Sequence, residues 1–384
     1  MDNAYRADAT GAPAAGPLVE RPVARTASGT ASGNLPTEAR RRAPRPGVWL
    51  GGAAVALVVT VLVAVTIGTA DLSVGEVWRS IAWHATHGLG LGDAVSVDPL
   101  SRLRDGIVWE LRLPRVLTAA AVGAGLALCG VVMQSLTRNP LADPYLLGLS
   151  SGASLGAVAV VVLGLSVLLP VAAFTGAVLA LAAALGLAGA LGTITPTRTI
   201  LAGLAISQLC AAATSFIIFW SATGDTYREI LSWLMGSVAG ATWSSVAIAA
   251  GAVLVLGVPL ALSGSVLDAF TFGDTAASAL GIPVKGTRWI LLVAVALLTG
   301  ALVSVSGSIG FVGLILPHAV RLVTGARHRL LLPLSALCGA TFLVWADTLA
   351  RTVFAPREVP VGIITAALGA PVFAVILWRG RERA

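Results

Sequence analysis

Few side chains in this 384-residue chain could carry chemistry, and their spacing limits what it could be. His84 and His87 stand three residues apart, close enough on one helical face to clamp a metal ion. No cysteine or carboxylate stands at ligand spacing beside them, so a surface pair is the plainer reading. Cys129, Cys210 and Cys338 fall singly inside apolar runs, which suits small buried hydrophobic side chains better than a redox or metal site. Lys285, the one lysine, precedes Gly286 and Thr287, yet no glycine-rich phosphate loop leads into it. Asp347 lies in an apolar stretch with Arg351 four residues on, a spacing that lets the two neutralise each other on one helix face. His318 follows Pro317; a structural histidine is the plainer reading and haem ligation the remoter one. No catalytic constellation and no line of buried carboxylates stands out. That argues against a membrane enzyme, and against an ion-coupled secondary transporter, whose uptake would respond to uncouplers rather than to vanadate.

The elements that must position these groups follow from composition. The chain is 57% hydrophobic and 11% charged, with 43 glycines, where a soluble domain carries roughly a quarter charged residues. Ten apolar segments follow one another over 48–70, 114–136, 145–167, 170–192, 199–221, 243–263, 288–306, 308–325, 330–352 and 361–378. Each is near the ~20 residues that span a bilayer core. The expectation is an all-α polytopic membrane protein with ten transmembrane helices over 47–384. Residues 1–46, rich in Ala, Pro, Gly, Thr and Arg without apolar period, read as a disordered cytoplasmic tail. Arg40, Arg41, Arg42 and Arg45 end that tail just before the first apolar run. Its length and the lack of a small-residue cleavage site favour an uncleaved first helix over a signal peptide.

An even helix count puts both termini on one side. With the N-terminus in the cytoplasm, seventeen basic residues fall inside: seven tail arginines, Arg138, Arg198, Lys285, Arg288, Arg321, Arg327, Arg329, Arg379, Arg381 and Arg383. Eight fall outside, namely Arg79, Arg102, Arg104, Arg112, Arg115, Arg228, Arg351 and Arg357. Counting acidic residues too, the inside is +9 and the outside −2, so the net +7 is a topology signal and not a nucleic-acid footprint. The long interval 71–113 reads as a solvated connector with short interfacial helices, its Trp78, Trp83 and Trp109 forming an aromatic belt. Gly148, Gly152 and Gly156 repeat every fourth residue, a pattern for close helix crossing. Pro140, Pro144, Pro317 and Pro371 can break helices at or within apolar runs.

Ordered motifs then accumulate. Arg112-Leu113-Pro114-Arg115 opens the second segment, followed by Gly130-x-x-x-Gln134, Arg138-Asn139-Pro140-Leu141-Ala142-Asp143-Pro144 and Leu147-Gly148-x-Ser150-Ser151-Gly152. Downstream come Trp233-Leu234-Met235-Gly236-Ser237, Leu280-Gly281-Ile282-Pro283, Gly307-Ser308-Ile309-Gly310-Phe311 and Leu316-Pro317-His318-x-x-Arg321. Ala346-Asp347-x-x-Ala350-Arg351 and Gly369-Ala370-Pro371 close the series. In order and spacing, over roughly 48–380, the chain closely resembles the FecCD family of ABC-importer permeases.

The resemblance implies a ten-helix type II ABC importer permease in the cytoplasmic (inner) membrane, surrounded by lipid. It implies a homodimer or a heterodimer with a second permease, two cytoplasmic ATPase subunits that hold the ATP and magnesium, and an extracytoplasmic substrate-binding protein. No cofactor is then bound by this chain itself, and no nucleic acid. Family substrates make a ferric siderophore the expected cargo, with vitamin B12 or haem the alternative. Arg112, Arg115 and Arg351 match rim arginines that dock the binding protein, a role suited to the planar fork of arginine; interfacial anchoring, or for Arg351 the pair with Asp347, is the other reading. The interval 264–287, with Gly273, Asp274, Ala277, Leu280, Gly281, Ile282 and Pro283, would be the ATPase-coupling loop: two short helices about a glycine turn, with Ala277, Leu280 and Gly281 at helical spacing, presented to a groove on the ATPase. The cytoplasmic gate would lie at Asn139, Pro140 and Leu141 and at Thr195, Pro196 and Thr197, which otherwise read as tight interhelical turns.

Overall fold

Helix α1 (Pro46–Thr66) is apolar throughout. The structure that shows it, a computed structural model, describes residues 46–68, 70–90, 100–164, 167–190, 195–221 and 224–381. Apart from Pro46, the predicted tail lies outside the described residues. Helix α2 (Val74–Gly88) is opened by a reciprocal cap. The Ser73 hydroxyl accepts from the Glu76 N–H, and the Glu76 carboxylate accepts from the Ser73 N–H. A single helix, α3, then runs Arg102–Thr137. It is followed by α4 (Leu149–Leu163), α5 (Leu169–Ala190), α6 (Pro196–Ser221), α7 (Gly224–Leu234) and α8 (Trp243–Leu262). Two short helices, α9 (Gly264–Thr271) and α10 (Asp274–Ala279), precede α11 (Val284–Ser306), α12 (Val312–Thr324), α13 (His328–Thr352) and α14 (Val361–Arg381). Among the described residues there is no strand: the fold is all-α and polytopic.

A helix stands at each of the ten predicted apolar segments, and among the described residues seven of them, α1, α3, α5, α6, α8, α11 and α13, are long and apolar enough to cross a membrane. The other three apolar stretches, Leu149–Leu163, Val312–Thr324 and Val361–Val375, are shorter. At 1.5 Å per residue α12 reaches about 20 Å, less than the ~30 Å hydrocarbon core.

Helix α3 departs most from expectation. The predicted connector over 71–113 contributes its last part, from Arg102, to the same helix that crosses the bundle. The join is a wide π turn at Ile107–Arg112, just ahead of Pro114. Proline has no N–H to give the carbonyl one turn back and its ring crowds that carbonyl, so widening the turn lets the helix continue. The same device recurs in α8, where a π turn at Val253–Gly257 precedes Pro259. Pro317 and Pro371 were expected as possible breakers; both instead lie inside continuous helices.

Most of α3 is buried among its neighbours. Its contact with α13 is backbone to backbone: a β-carbon at Gly123 would overlap the Gly339 carbonyl, and one at Gly130 would overlap the Gly313 carbonyl of α12. In lipid no hydrophobic force drives helices together, and close approach at small residues supplies the packing energy instead. The Gly148–Gly156 repeat divides by role. Gly152 and Gly156 meet the backbone of Gly176 and Ala172 in α5, whereas Gly148, at φ 83°, ends the 3-10 turn Pro144–Leu147.

Candidate docking, gate and coupling sites

The three predicted docking arginines meet at one end of the bundle, and all are buried: Arg112 is 5% exposed, Arg115 7% and Arg351 4%. Arg112 donates through Nη1 to the carbonyls of Val65 and Thr66 at 3.3 and 3.1 Å, and through Nη2 to that of Ala70 at 2.6 Å. Arg351 Nη2 donates to the Ala64 carbonyl at 2.7 Å. The final carbonyls of a helix lack intrahelical partners, so these two arginines cap α1 at its negative end. Arg115 grips Asp347 with two atoms, Nε at 2.9 Å from Oδ2 and Nη2 at 2.9 Å from Oδ1, and its Nη1 donates to Glu358 at 2.7 Å. The expected local pair is present but long. Arg351 Nε stands 3.9 Å from Asp347 Oδ2, because the fork of Arg115 arrives from the neighbouring helix in better geometry. Arg112, Arg115, Arg351 and Glu358 line a cavity of about 250 Å³. Beside it, sharing Ala239, lies an apolar cavity of about 350 Å³ dotted with Ser232, Ser237, Ser245 and Ser304.

His84 does have a carboxylate partner, one that no local spacing shows. Its Nε2 lies 2.9 Å from Asp105 Oδ2, and Asp105 Oδ1 also accepts from the Ser80 hydroxyl at 2.6 Å. His84 stacks on Trp109 at 3.9 Å, while His87 stacks on Trp83. Two of the predicted belt tryptophans therefore pack against α2 histidines. Among the described residues no group of three or more His, Cys, Asp or Glu side chains is placed to hold a metal ion.

The gate and coupling residues gather at the opposite end. Asn139, Pro140 and Leu141 are exposed, and the Asn139 side-chain oxygen accepts from the Leu141 N–H at 2.9 Å, a self-closing turn. Asp143 then caps the 3-10 turn through the Tyr145 N–H at 2.8 Å. Burial pushes its carboxyl up to about 6. Thr195 plays the same capping part for α6, accepting from the Arg198 N–H at 3.3 Å, with Pro196 at the first helical position and Thr197 exposed.

Gly273 sits between α9 and α10 at φ 102°, a conformation glycine adopts without strain. Ala277 is fully buried, Leu280 is 71% exposed and Gly281 lies in a left-handed turn after α10 has ended. The three therefore do not form one helical face. What the loop offers to solvent is Phe272, 80% exposed, together with Leu280 and Pro283, while Ile282 packs against the core. Asp274 does different work from the rest: its Oδ1 accepts from Arg138 Nη2 and Arg288 Nη2, both at 2.8 Å. The Arg288 hydrogen bond, aided by Arg138, holds this carboxyl below its ordinary range. Asp268 Oδ1 accepts from the His328 N–H at 3.0 Å and meets its Nδ1 at 2.7 Å, pinning α9 to the start of α13. A cleft of about 580 Å³ joins the two predicted sites, lined by Thr195 on one side and by Asp274, Ser278, Ile282, Pro283 and Lys285 on the other.

A bundle of helices joined backbone to backbone, with an ion-paired cap at one end and an apolar loop at the other, suits a membrane transport subunit. The model of the FecCD transport family matches residues 56–379. The chain belongs to that family. The vitamin B12 import system permease protein BtuC of Vibrio cholerae is 41% identical over 317 residues, covering 81% of this chain and 90% of its own. The hemin transport system permease protein HmuU of Yersinia pestis is 38% identical over 351 residues, covering 88% and 98%. Among solved structures, an inward-facing ABC transporter described as of metal-chelate type superposes with a TM-score of 0.73 at 32% identity, covering 87% of this chain and all of that one. This FecCD chain is thus a multi-pass ABC importer permease, a transport subunit like its relatives.

Proposed function

We propose that this permease carries a ferric siderophore across the cytoplasmic membrane by alternating access. It would be paired with a second copy or a second permease, driven by two cytoplasmic ATPases and fed by an extracytoplasmic binding protein. The observation that carries the transport mechanism is the exposed Phe272–Leu280 surface, an apolar knob on a short helical hairpin that an ATPase groove could receive. The opposite end, held by Arg112, Arg115 and Arg351, would face outward and receive the binding protein; since the guanidinium groups have internal partners, they act by shaping that rim. On this reading Asn139–Leu141 and Thr195–Thr197 form the cytoplasmic gate, and ATP-driven closure of the ATPases moves the hairpin beside them.

The iron-chelate cargo is supported by the metal-chelate description of the structural relative and by a relative named for ferric citrate, the YfmD permease of Bacillus subtilis, whereas the hemin permease of Yersinia pestis favours haem. Vitamin B12 is the second reading, favoured by the 41% identity to the Vibrio cholerae permease. Uptake of radiolabelled ferric siderophore and of labelled cobalamin in a strain lacking this gene decides between them. Loss of iron uptake with cobalamin uptake intact is the expected result, and the reverse overturns the cargo.

A further inference from the structure

Arg138 closes α3 in the left-handed conformation, at φ 50° and ψ 34°. Glycine or asparagine usually fills such a position, since other side chains are strained there, and nothing about capping calls for arginine. What the arginine adds is reach. Its Nη2 contacts Asp274, the first residue of α10, across 136 positions of sequence. Asp274 in turn holds Arg288 near the start of α11, and the Arg288 guanidinium lies over the Phe270 ring of α9 at 5.5 Å. One carboxylate oxygen therefore joins the end of α3, the start of α10 and the start of α11. The residue after Arg138 begins the Asn139–Leu141 turn.

The Arg138–Asp274 pair itself adds little to stability. Arg138 and Asp274 have side chains 47% and 43% exposed, and water screens ion pairs as open as this. The second polar contact between α3 and the hairpin is longer, the Ser135 hydroxyl to the Leu267 carbonyl of α9 at 3.4 Å. We propose that Arg138 is a positioning residue that ties the gate to the coupling hairpin, so that displacement of α10 is carried through Asp274 to the end of α3 and the Asn139–Leu141 turn. The tie rests on the reading of 264–287 as the ATPase-coupling loop.

The test uses the complete importer, reconstituted in liposomes with its ATPases and binding protein, with ATP hydrolysis and substrate uptake read on the same vesicles. Arg138→Asn keeps a residue at ease in the left-handed cap while removing the reach. Hydrolysis should stay within about two-fold of wild type while uptake falls about ten-fold, so that more ATP is spent per substrate moved. Arg138→Lys, which can still meet Asp274 at one point, should recover part of the uptake. Wild-type uptake in Arg138→Asn, or an equal fall in uptake and hydrolysis, overturns the tie. Wild-type uptake that needs no ATP overturns the coupling reading itself, and the tie falls with it.

Discussion

Arg115 and Asp347 are opposite charges sunk in an apolar bundle, 7% and 1% exposed, and each makes the other tolerable. Truncating one leaves the other buried without compensation, a loss of about 3–5 kcal/mol in soluble interiors, whereas replacing both by apolar side chains of similar size is often close to neutral. Asp347→Ala should therefore lower the thermal midpoint of the detergent-purified permease strongly. The double variant Arg115→Met with Asp347→Leu should recover part of it, since buried Arg351 still loses its nearest carboxylate. An Asp347→Ala midpoint equal to wild type would show that the pair holds nothing together. The same logic made half of the pairing legible beforehand: an aspartate inside an apolar run demands a partner. Which partner was not legible, because the i, i+4 neighbour Arg351 satisfied local spacing while the better fork came from 232 residues away.

At the scale of elements, the helices are set by close approach more than by side-chain bulk. Gly123→Leu would drive the side chain into the Gly339 carbonyl of α13, and overpacking of this kind costs about 1–3 kcal/mol or forces the helices apart. The expected outcome is a lower thermal midpoint and poorer recovery of monodisperse protein. Gly51→Leu in α1, with nothing within 4 Å of the added β-carbon, should leave both unchanged. Comparable loss from both variants would assign the effect to glycine replacement as such and not to the α3–α13 crossing. The apolar runs showed where the helices would be, since each was needed to bury backbone in lipid. The continuity of α3 from Arg102 did not show, because Pro114 reads as a helix start and the wide turn before it leaves no mark in hydropathy.

For the whole molecule, the asymmetry of charge and the asymmetry of structure point the same way. The end with Arg138, Arg288, Arg321, Arg327 and Arg329 carries the hairpin, and the end with Arg112, Arg115 and Arg351 carries the ion-paired cap. Placing the basic-rich end in the cytoplasm puts the hairpin where ATPases are. A reporter enzyme active only outside the cytoplasm should be silent when fused after Ala384 and active when inserted at Arg357, between α13 and α14. The opposite pattern would invert the molecule and remove the coupling and docking assignments together.

Composition and apolar periodicity by themselves determined an all-helical membrane protein, the places of its helices and, through ordered motifs, its family. Each of these depends on residues close in sequence or on a one-dimensional pattern. Tertiary structure alone decided what the charged residues do. The arginines expected on an open rim turned out to cap α1 and to neutralise Asp347. His84 found Asp105, and Asp274 became a junction for Arg138 and Arg288. A charge inside a membrane bundle settles on whichever partner the packing brings within about 3 Å. Packing here is set by glycine crossings that join residues far apart in sequence, such as Gly123 and Gly339.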